Sequence, residues 1–162
     1  MPRYLYLLRH AQSADKQIGQ TDKERVLTSV GLAEARAVGN FFKEKSVFPD
    51  LIISSSALRA KSTSQVVAEI LKYKEEEIMM IDDLYEAQVS TFFHLLSQLE
   101  DHINTILIVN HNPVISYFAT QLTQQQHGFL PAEVLALKFE AESWRGLQKA
   151  KIEVAGRFQP IV

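Results

Sequence analysis

Five apolar residues, Tyr4-Leu5-Tyr6-Leu7-Leu8, run without a polar break into Arg9 and His10. A second run, Ile106-Leu107-Ile108-Val109, ends in Asn110, His111, Asn112 and Pro113. Runs that are apolar at every position, rather than at every second one, mark strands covered on both faces. Between these runs the period changes. Val30, Ala33, Ala37, Val38, Phe41 and Phe42 recur at helical spacing, which predicts a helix starting near Thr28 or Ser29 with these residues as its buried stripe. Leu51-Ile52-Ile53, after Pro49-Asp50, reads as a second strand. Ser54-Ser55-Ser56 then offers caps for a helix from about Ala57 to Lys72, with Val66, Val67, Ile70 and Leu71 facing inward. Ile78 to Ile81 reads as a short strand and Val89 to Leu99 as a helix carrying Phe92 and Phe93 in the core. Thr105 to Val109 is a strand, and Val114 to Leu122 a helix.

The tail changes character. Glu133 to Phe139, and the Leu147, Lys151, Val154 stretch, predict two strands joined in a hairpin around Trp144-Arg145-Gly146. Strand and helix units in alternation, followed by such a pair, predict an α/β fold. Its central sheet is mostly parallel, with helices on both faces and a C-terminal antiparallel addition at one edge. Ligands of such sheets bind beyond the carboxyl ends of the strands, which is where both His10 and His111 fall.

Composition narrows the function. A length of 162 residues suits one domain, residues 1–162, and 46% hydrophobic with 22% charged residues is ordinary globular material. A net charge of -2 leaves no basic footprint for nucleic acid. Cysteine is absent, so disulfides, thiolate metal sites and a cysteine nucleophile are excluded, which suits a reducing compartment. The first apolar run is too short for a signal peptide and no run approaches a membrane span, so a cytoplasmic location and no membrane partner are expected.

The chemistry-bearing residues fall at strand-to-helix junctions: Arg9 and His10, then Arg59, then His111. If these converge, two guanidiniums and two imidazoles enclose one small space. Guanidinium forks match phosphate oxygens bidentately, and the start of a helix near Ala57 adds a positive dipole end. Neighbouring cations disfavour protonation of an imidazole, leaving a nitrogen competent to attack phosphorus. His94, His102 and His127 have no such partners in the sequence, and surface or capping roles are expected for them.

Four blocks carry a resemblance. Leu8-Arg9-His10-Ala11 resembles a strand ending in Arg-His-Gly. Leu27-Thr28-Ser29-Val30-Gly31-Leu32-Ala33-Glu34-Ala35 matches Leu-Thr-x-x-Gly-x-x-x-Ala. Ser55-Ser56-Ala57-Leu58-Arg59-Ala60-Lys61-Ser62-Thr63 matches Ser-Pro-x-x-Arg-Ala-x-x-Thr apart from the proline, and His111-Asn112-Pro113 matches His-Asn-Pro. In order and across nearly the whole chain, these are similar to the histidine phosphatase superfamily and its three-layer phosphoglycerate mutase-like fold. The short length, with no room for long insertions, resembles the compact SixA-type phosphohistidine phosphatases. Ala11, Ser56 and Asn110 depart from the family pattern, and if the position of Ala11 demands a positive φ, alanine is strained there.

The resemblance implies that His10 is the nucleophile, that Arg9, Arg59 and His111 hold the phosphoryl oxygens, and that neither a metal nor a cofactor is needed. Gln12 and Ser13, in the loop after the nucleophile, are candidates for further hydrogen bonds to phosphate. Glu86 stands where ester-cleaving members carry a proton donor; it can equally orient substrate or serve at a helix entry. Asp82 and Asp83 read as turn and cap residues. Three functions follow as expectations: a phosphatase of protein phosphohistidine, with a partner such as a histidine phosphotransfer domain; a phosphomonoesterase of a small metabolite; and a non-catalytic phosphoryl-binding module. Short loops favour the first. The oligomeric state is not legible.

Overall fold

The structure, a computed structural model, describes residues 2–162. Strands β1 (Pro2–Arg9), β2 (Leu51–Ser55), β3 (Met79–Ile81), β4 (Thr105–Asn110), β5 (Val134–Glu140) and β6 (Glu153–Phe158) form a six-stranded sheet in the order β3-β2-β4-β1-β5-β6. The first four of that order run parallel; β5 pairs antiparallel with β1, and β6 pairs antiparallel with β5 at the sheet edge. Helices α1 (Ser29–Glu44) and α2 (Leu58–Leu71) cover one face; α3 (Val89–Ser97) and α4 (Val114–Thr123) cover the other.

The continuous apolar runs have the expected cause. Leu5 and Leu7 of β1, with Ile106 and Ile108 of β4, pack under Phe92, Leu96 and Phe118 of α3 and α4. Tyr6 and Leu8, with Leu107 and Val109, pack under Val38, Phe42 and Val67 of α1 and α2. Successive strand side chains point to opposite faces, so a strand between two helical layers must be apolar throughout. Each fully buried Leu, Ile or Phe contributes ~1.5–3 kcal/mol relative to exposure.

Two expectations need correction. The buried face of α1 is Gly31, Ala35, Val38, Gly39 and Phe42, while Val30 is exposed. The period is right but the stripe is rotated toward small residues, because α1 lies close against α2: a Cβ on Gly39 would stand 2.8 Å from Cδ1 of Ile70. The buried face of α2 is Arg59, Ala60, Thr63, Ser64, Val67, Ala68 and Leu71; Val67 and Leu71 face inward as expected, while Val66 and Ile70 are half-buried, Val66 against the core and Ile70 against Gly39 of α1. At the C-terminus, Trp144–Gln148 forms a 3₁₀ turn and β6 begins at Glu153, so no tight hairpin joins the last two strands. The Trp144 indole N–H donates to the Ile103 carbonyl at 2.6 Å and its ring meets Phe139 edge-on, which draws Leu147 into the core below the sheet.

The loop after β1 is tied to the start of α1. Thr28 caps the helix by accepting the Gly31 N–H at 2.9 Å, and its own N–H donates to the Gln12 carbonyl at 3.1 Å. A Cβ on Gly31 would lie 2.0 Å from that same carbonyl oxygen. Backbone cannot yield as a side-chain tip does. Gly31→Ala is therefore expected to cost about 1–3 kcal/mol of stability, read as a lowered urea midpoint; an unchanged midpoint would show that the loop does not rest on this glycine.

Candidate active site

Strands β1 and β4 are parallel neighbours, with Leu8 opposite Val109 and Arg9 opposite Asn110. This register brings His10 and His111, each one residue further on, to the same level at the carboxyl edge of the sheet. The His10 N–H donates to the Asn110 carbonyl at 3.0 Å, and the two rings lie 5.2 Å apart between centroids. Both are buried, His10 at 8% and His111 at 6% exposure. Arg59 arrives from the first turn of α2, directly after β2, so three strand ends converge as the junction pattern anticipated.

The tautomer of His10 follows from its surroundings. Nδ1 lies 2.8 Å from the Ala11 carbonyl oxygen, which can only accept, so the proton is on Nδ1 and Nε2 keeps a lone pair. Ala11 is fixed in turn: its N–H donates to Thr63 Oγ1 at 3.0 Å, and the Thr63 hydroxyl donates to the Arg59 carbonyl at 2.8 Å. Ala11 is fully buried and carries no positive φ, so alanine is unstrained where the family has glycine.

His111 Nε2 lies 2.7 Å from Ser55 Oγ, which already accepts the Ala57 N–H at 3.3 Å. That bond leaves the serine proton available for Nε2, and with the serine donating, the His111 proton lies on Nδ1. That Nδ1 is buried without a hydrogen-bond partner, and so is Arg9 Nε, while Arg9 Nη1 donates to the Phe129 carbonyl at 2.9 Å. Buried donors without acceptors are costly, and two of them facing a cationic site suit an anionic guest.

Arg59 is 7% exposed, donating through Nη1 to the Asp22 carbonyl at 2.9 Å and through Nη2 to Asp22 Oδ2 at 3.1 Å. Asp22 Oδ1 accepts from Arg25 Nη1 at 3.2 Å, and the Tyr85 hydroxyl donates to Oδ2. The Tyr85 bond, then Arg25 and Arg59, hold the Asp22 carboxyl down at about 2, so it stays ionised. The Tyr85 ring stands edge-on to His111 with centroids 5.8 Å apart, and the Arg59 guanidinium carbon is 5.9 Å from its centroid.

Nothing in the sequence identifies Asp22, Arg25, Tyr85, Ser55 and Thr63 as site residues. Ser55 and Thr63 stood inside a matched block without a role. Asp22 and Arg25 read as ordinary loop charges, and their spacing gave no signal of where the loop folds. Gln12 Oε1 accepts from Thr28 Oγ1 at 2.7 Å, and Ser13 Oγ accepts from Arg25 Nη2 at 3.1 Å; neither bond uses the Gln12 amide protons or the Ser13 hydroxyl proton. Glu86 is exposed, on a groove of about 440 Å³ that runs outward from His111 past Tyr85, Val89, Pro113 and Tyr117. His94 and His102 are exposed, and Asp82 and Asp83 form a 3₁₀ turn before Tyr85. Among the described residues no group of three or more His, Asp or Glu side chains is placed to hold a metal ion.

Burial, opposed in part by the Ala11 hydrogen bond and aided by Arg59, Arg9 and Arg25, pushes His10 down to about 4; burial, then His10 and Arg59, push His111 down to about 3. Both rings are neutral near pH 7. Their folded values lie below the ordinary 6.5, so the unfolded chain binds these protons more tightly. The resulting stability is fully present above about 6.5 and is lost as pH falls through about 4. Imidazole NMR titrations are expected to show both rings neutral at pH 5.5; titration of either near 6.5 would contradict this burial effect.

The histidine phosphatase superfamily (branch 1) model matches residues 5–95, more than half of the chain. An uncharacterized protein of Mycobacterium leprae, ML1117, is 30% identical over 141 residues, covering 85% of this chain and 80% of that protein. The mitochondrial serine/threonine-protein phosphatase Pgam5 of Drosophila ananassae is 24% identical over 88% of this chain, which spans about half, 53%, of the Pgam5 length. Among solved structures, SixA of Nakamurella multipartitia superposes with a TM-score of 0.86 at 21% identity, covering 100% of this chain and 98% of that one. The protein histidine phosphatase SixA complexed with tungstate gives 0.82 at 19% identity, covering 96% of each chain. A mycobacterial glucosyl-3-phosphoglycerate phosphatase gives 0.73 at 15% identity, covering 96% of this chain and 98% of that one. These neighbours share the phosphoglycerate mutase-like fold, and the chain belongs to the histidine phosphatase superfamily.

Proposed function

We propose that the protein is a phosphatase that removes the phosphoryl group from phosphohistidine on a partner protein, such as a histidine phosphotransfer domain, through a covalent intermediate on His10. The observation that carries the reading is Nε2 of His10: its lone pair is freed by the Nδ1 bond to Ala11, kept unprotonated by burial, and ringed by Arg9, Arg59 and His111. In the first step Nε2 forms a bond to phosphorus as the P–N bond to the substrate imidazole breaks. The bonding pair leaves with that imidazole, which takes up a proton from solvent. The guanidiniums of Arg9 and Arg59 and the N–H of His111 Nδ1 stabilise the equatorial oxygens in transit. In the second step water attacks phospho-His10, the P–N bond returns its electrons to Nε2, and phosphate leaves.

The leaving group separates the candidate substrates. An alkoxide needs a general acid, a contribution of about 10²–10⁴-fold, whereas an imidazole departs with less help. The site's donors are arginines and neutral histidines; of the exposed carboxylates near it, Asp22 is engaged by Arg59, Arg25 and Tyr85, and Glu86 stands on the groove beside His111. The SixA neighbours support a protein phosphohistidine substrate. Glu86 and the glucosyl-3-phosphoglycerate phosphatase neighbour favour the second reading, a phosphomonoesterase for a small metabolite.

Turnover of a phosphohistidine protein and of a panel of phosphate esters, side by side, tests this. His10→Ala is expected to abolish release from all of them. Glu86→Gln is expected to cost only a few-fold on phosphohistidine while costing about 10²-fold or more on esters. Strong, selective turnover of one small ester, with phosphohistidine protein a poor substrate, would overturn the first reading in favour of the second.

A further inference from the structure

We propose that Arg157, on β6, is a positioning residue for the Arg9–His10 pair and acts through the 127–133 loop; this rests on the phosphoryl-site reading above. The loop lies across the catalytic dipeptide. The Ala132 N–H is shared between the Arg9 and His10 carbonyls, 3.1 Å from each, and the Arg9 N–H donates to the Glu133 carbonyl at 3.2 Å. The Phe129 carbonyl accepts from Arg9 Nη1 at 2.9 Å and from Asn112 Nδ2 at 3.0 Å. One loop thus fixes the backbone of both residues, aims one guanidinium, and ties in the residue after His111.

The loop does not hold this shape unaided. Ala132 has φ 59°, in the left-handed region that a non-glycine residue enters only at a cost of about 1–3 kcal/mol. Restraint comes from the far side, and Arg157 supplies it. Nη1 donates to Glu133 Oε2 at 2.5 Å and to the Gly128 carbonyl at 2.9 Å; Nη2 donates to His127 Nδ1 at 2.8 Å. The guanidinium carbon lies 5.4 Å from the Phe129 ring centroid. Glu133 passes the restraint on, since its Oε1 accepts the Leu130 N–H at 2.8 Å. The Glu133 side chain is only 8% exposed, and a buried carboxylate that loses its cation is strongly unfavourable, so the pair fixes the loop rather than decorating it. The fork matters as much as the charge, because the three acceptors are met from two nitrogens held apart in one plane, a spread that a single ammonium nitrogen does not match. Arg157 and the loop lie outside residues 5–95, the span matched by the family model.

The test measures binding of inorganic phosphate to the full chain by calorimetry, with thermal midpoints as the folding control. Arg9→Ala is expected to weaken phosphate binding at least 10-fold; if it does not, the phosphoryl-site reading itself fails. Arg157→Ala is expected to weaken it about 5- to 20-fold, and Arg157→Lys to restore only part. In the Arg9→Ala background, Arg157→Ala is expected to cost less than 2-fold more, because phosphate affinity senses the loop through the guanidinium that the Phe129 carbonyl aims, and that route is gone with Arg9. Full additivity, or unchanged phosphate affinity in a folded Arg157→Ala protein, would overturn the positioning role while leaving the site reading intact. If Arg157→Ala does not fold, Glu133→Gln, which keeps an acceptor for Leu130, is put through the same cycle with the same two outcomes.

Discussion

The parallel pairing of β1 with β4 is the constraint on which the rest depends. Two strands that are not consecutive in the chain lie side by side, and their register sets Arg9 against Asn110. Because both strands are buried on both faces, a slip would move apolar side chains between two packed layers, and the register is held by the whole core. The histidines inherit that precision. They need no loop to find each other, since each is the first residue beyond its strand. Everything else at the site is attached to this pair: α2 through Thr63 and Arg59, the β1–α1 loop through Asp22, and the 127–133 loop through Ala132 and Phe129.

Charge explains how such a site survives folding. Two buried imidazoles are tolerable because they are neutral, and the same burial that removes their protons makes one of them a nucleophile. The arginines are less free to neutralise. Arg59 is compensated by Asp22, Arg25 by the same carboxylate, and Arg157 by Glu133. Arg9 has one acceptor at hydrogen-bonding distance, the Phe129 carbonyl, and one buried N–H with none; Glu34 acts on it through space without an ion pair. The cation nearest the nucleophile in sequence is therefore the least compensated, which is where an incoming phosphoryl group gains most.

Much of this was legible in the sequence, for reasons that can be stated. Unbroken apolar runs identify the central strands because sheet burial demands them, and four short blocks located the site because each marks a strand end or helix start. The blocks also have physical content that spacing alone hides: Gly31 is required by a carbonyl, and Thr63 by the backbone after His10. What escaped was long-range or made of small residues. The α1 stripe was misplaced because glycine and alanine carry its closest contacts. The last strand was misplaced because Trp144 finds its partner at Ile103, some forty positions upstream in the chain. Asp22 and Tyr85 were silent because a charge or a ring in a loop says nothing of where the loop folds, and Arg157 because a charge on an edge strand reads as a solvated one. Gln12 and Ser13, adjacent to the nucleophile in sequence, direct their side chains to Thr28 and Arg25.

The central claim is that Nε2 of His10 takes the phosphoryl group. Rapid acid-free quenching during turnover of a phosphorus-labelled substrate, followed by peptide mapping and ³¹P–¹⁵N NMR of the isotope-labelled protein, addresses it directly. The expected result is one phosphoryl group, stable to alkali and labile to acid, bonded to Nε2 of His10. A label on His111, an alkali-labile label on a carboxylate such as Asp22, or turnover with no covalent label under conditions that trap phosphohistidine would contradict it.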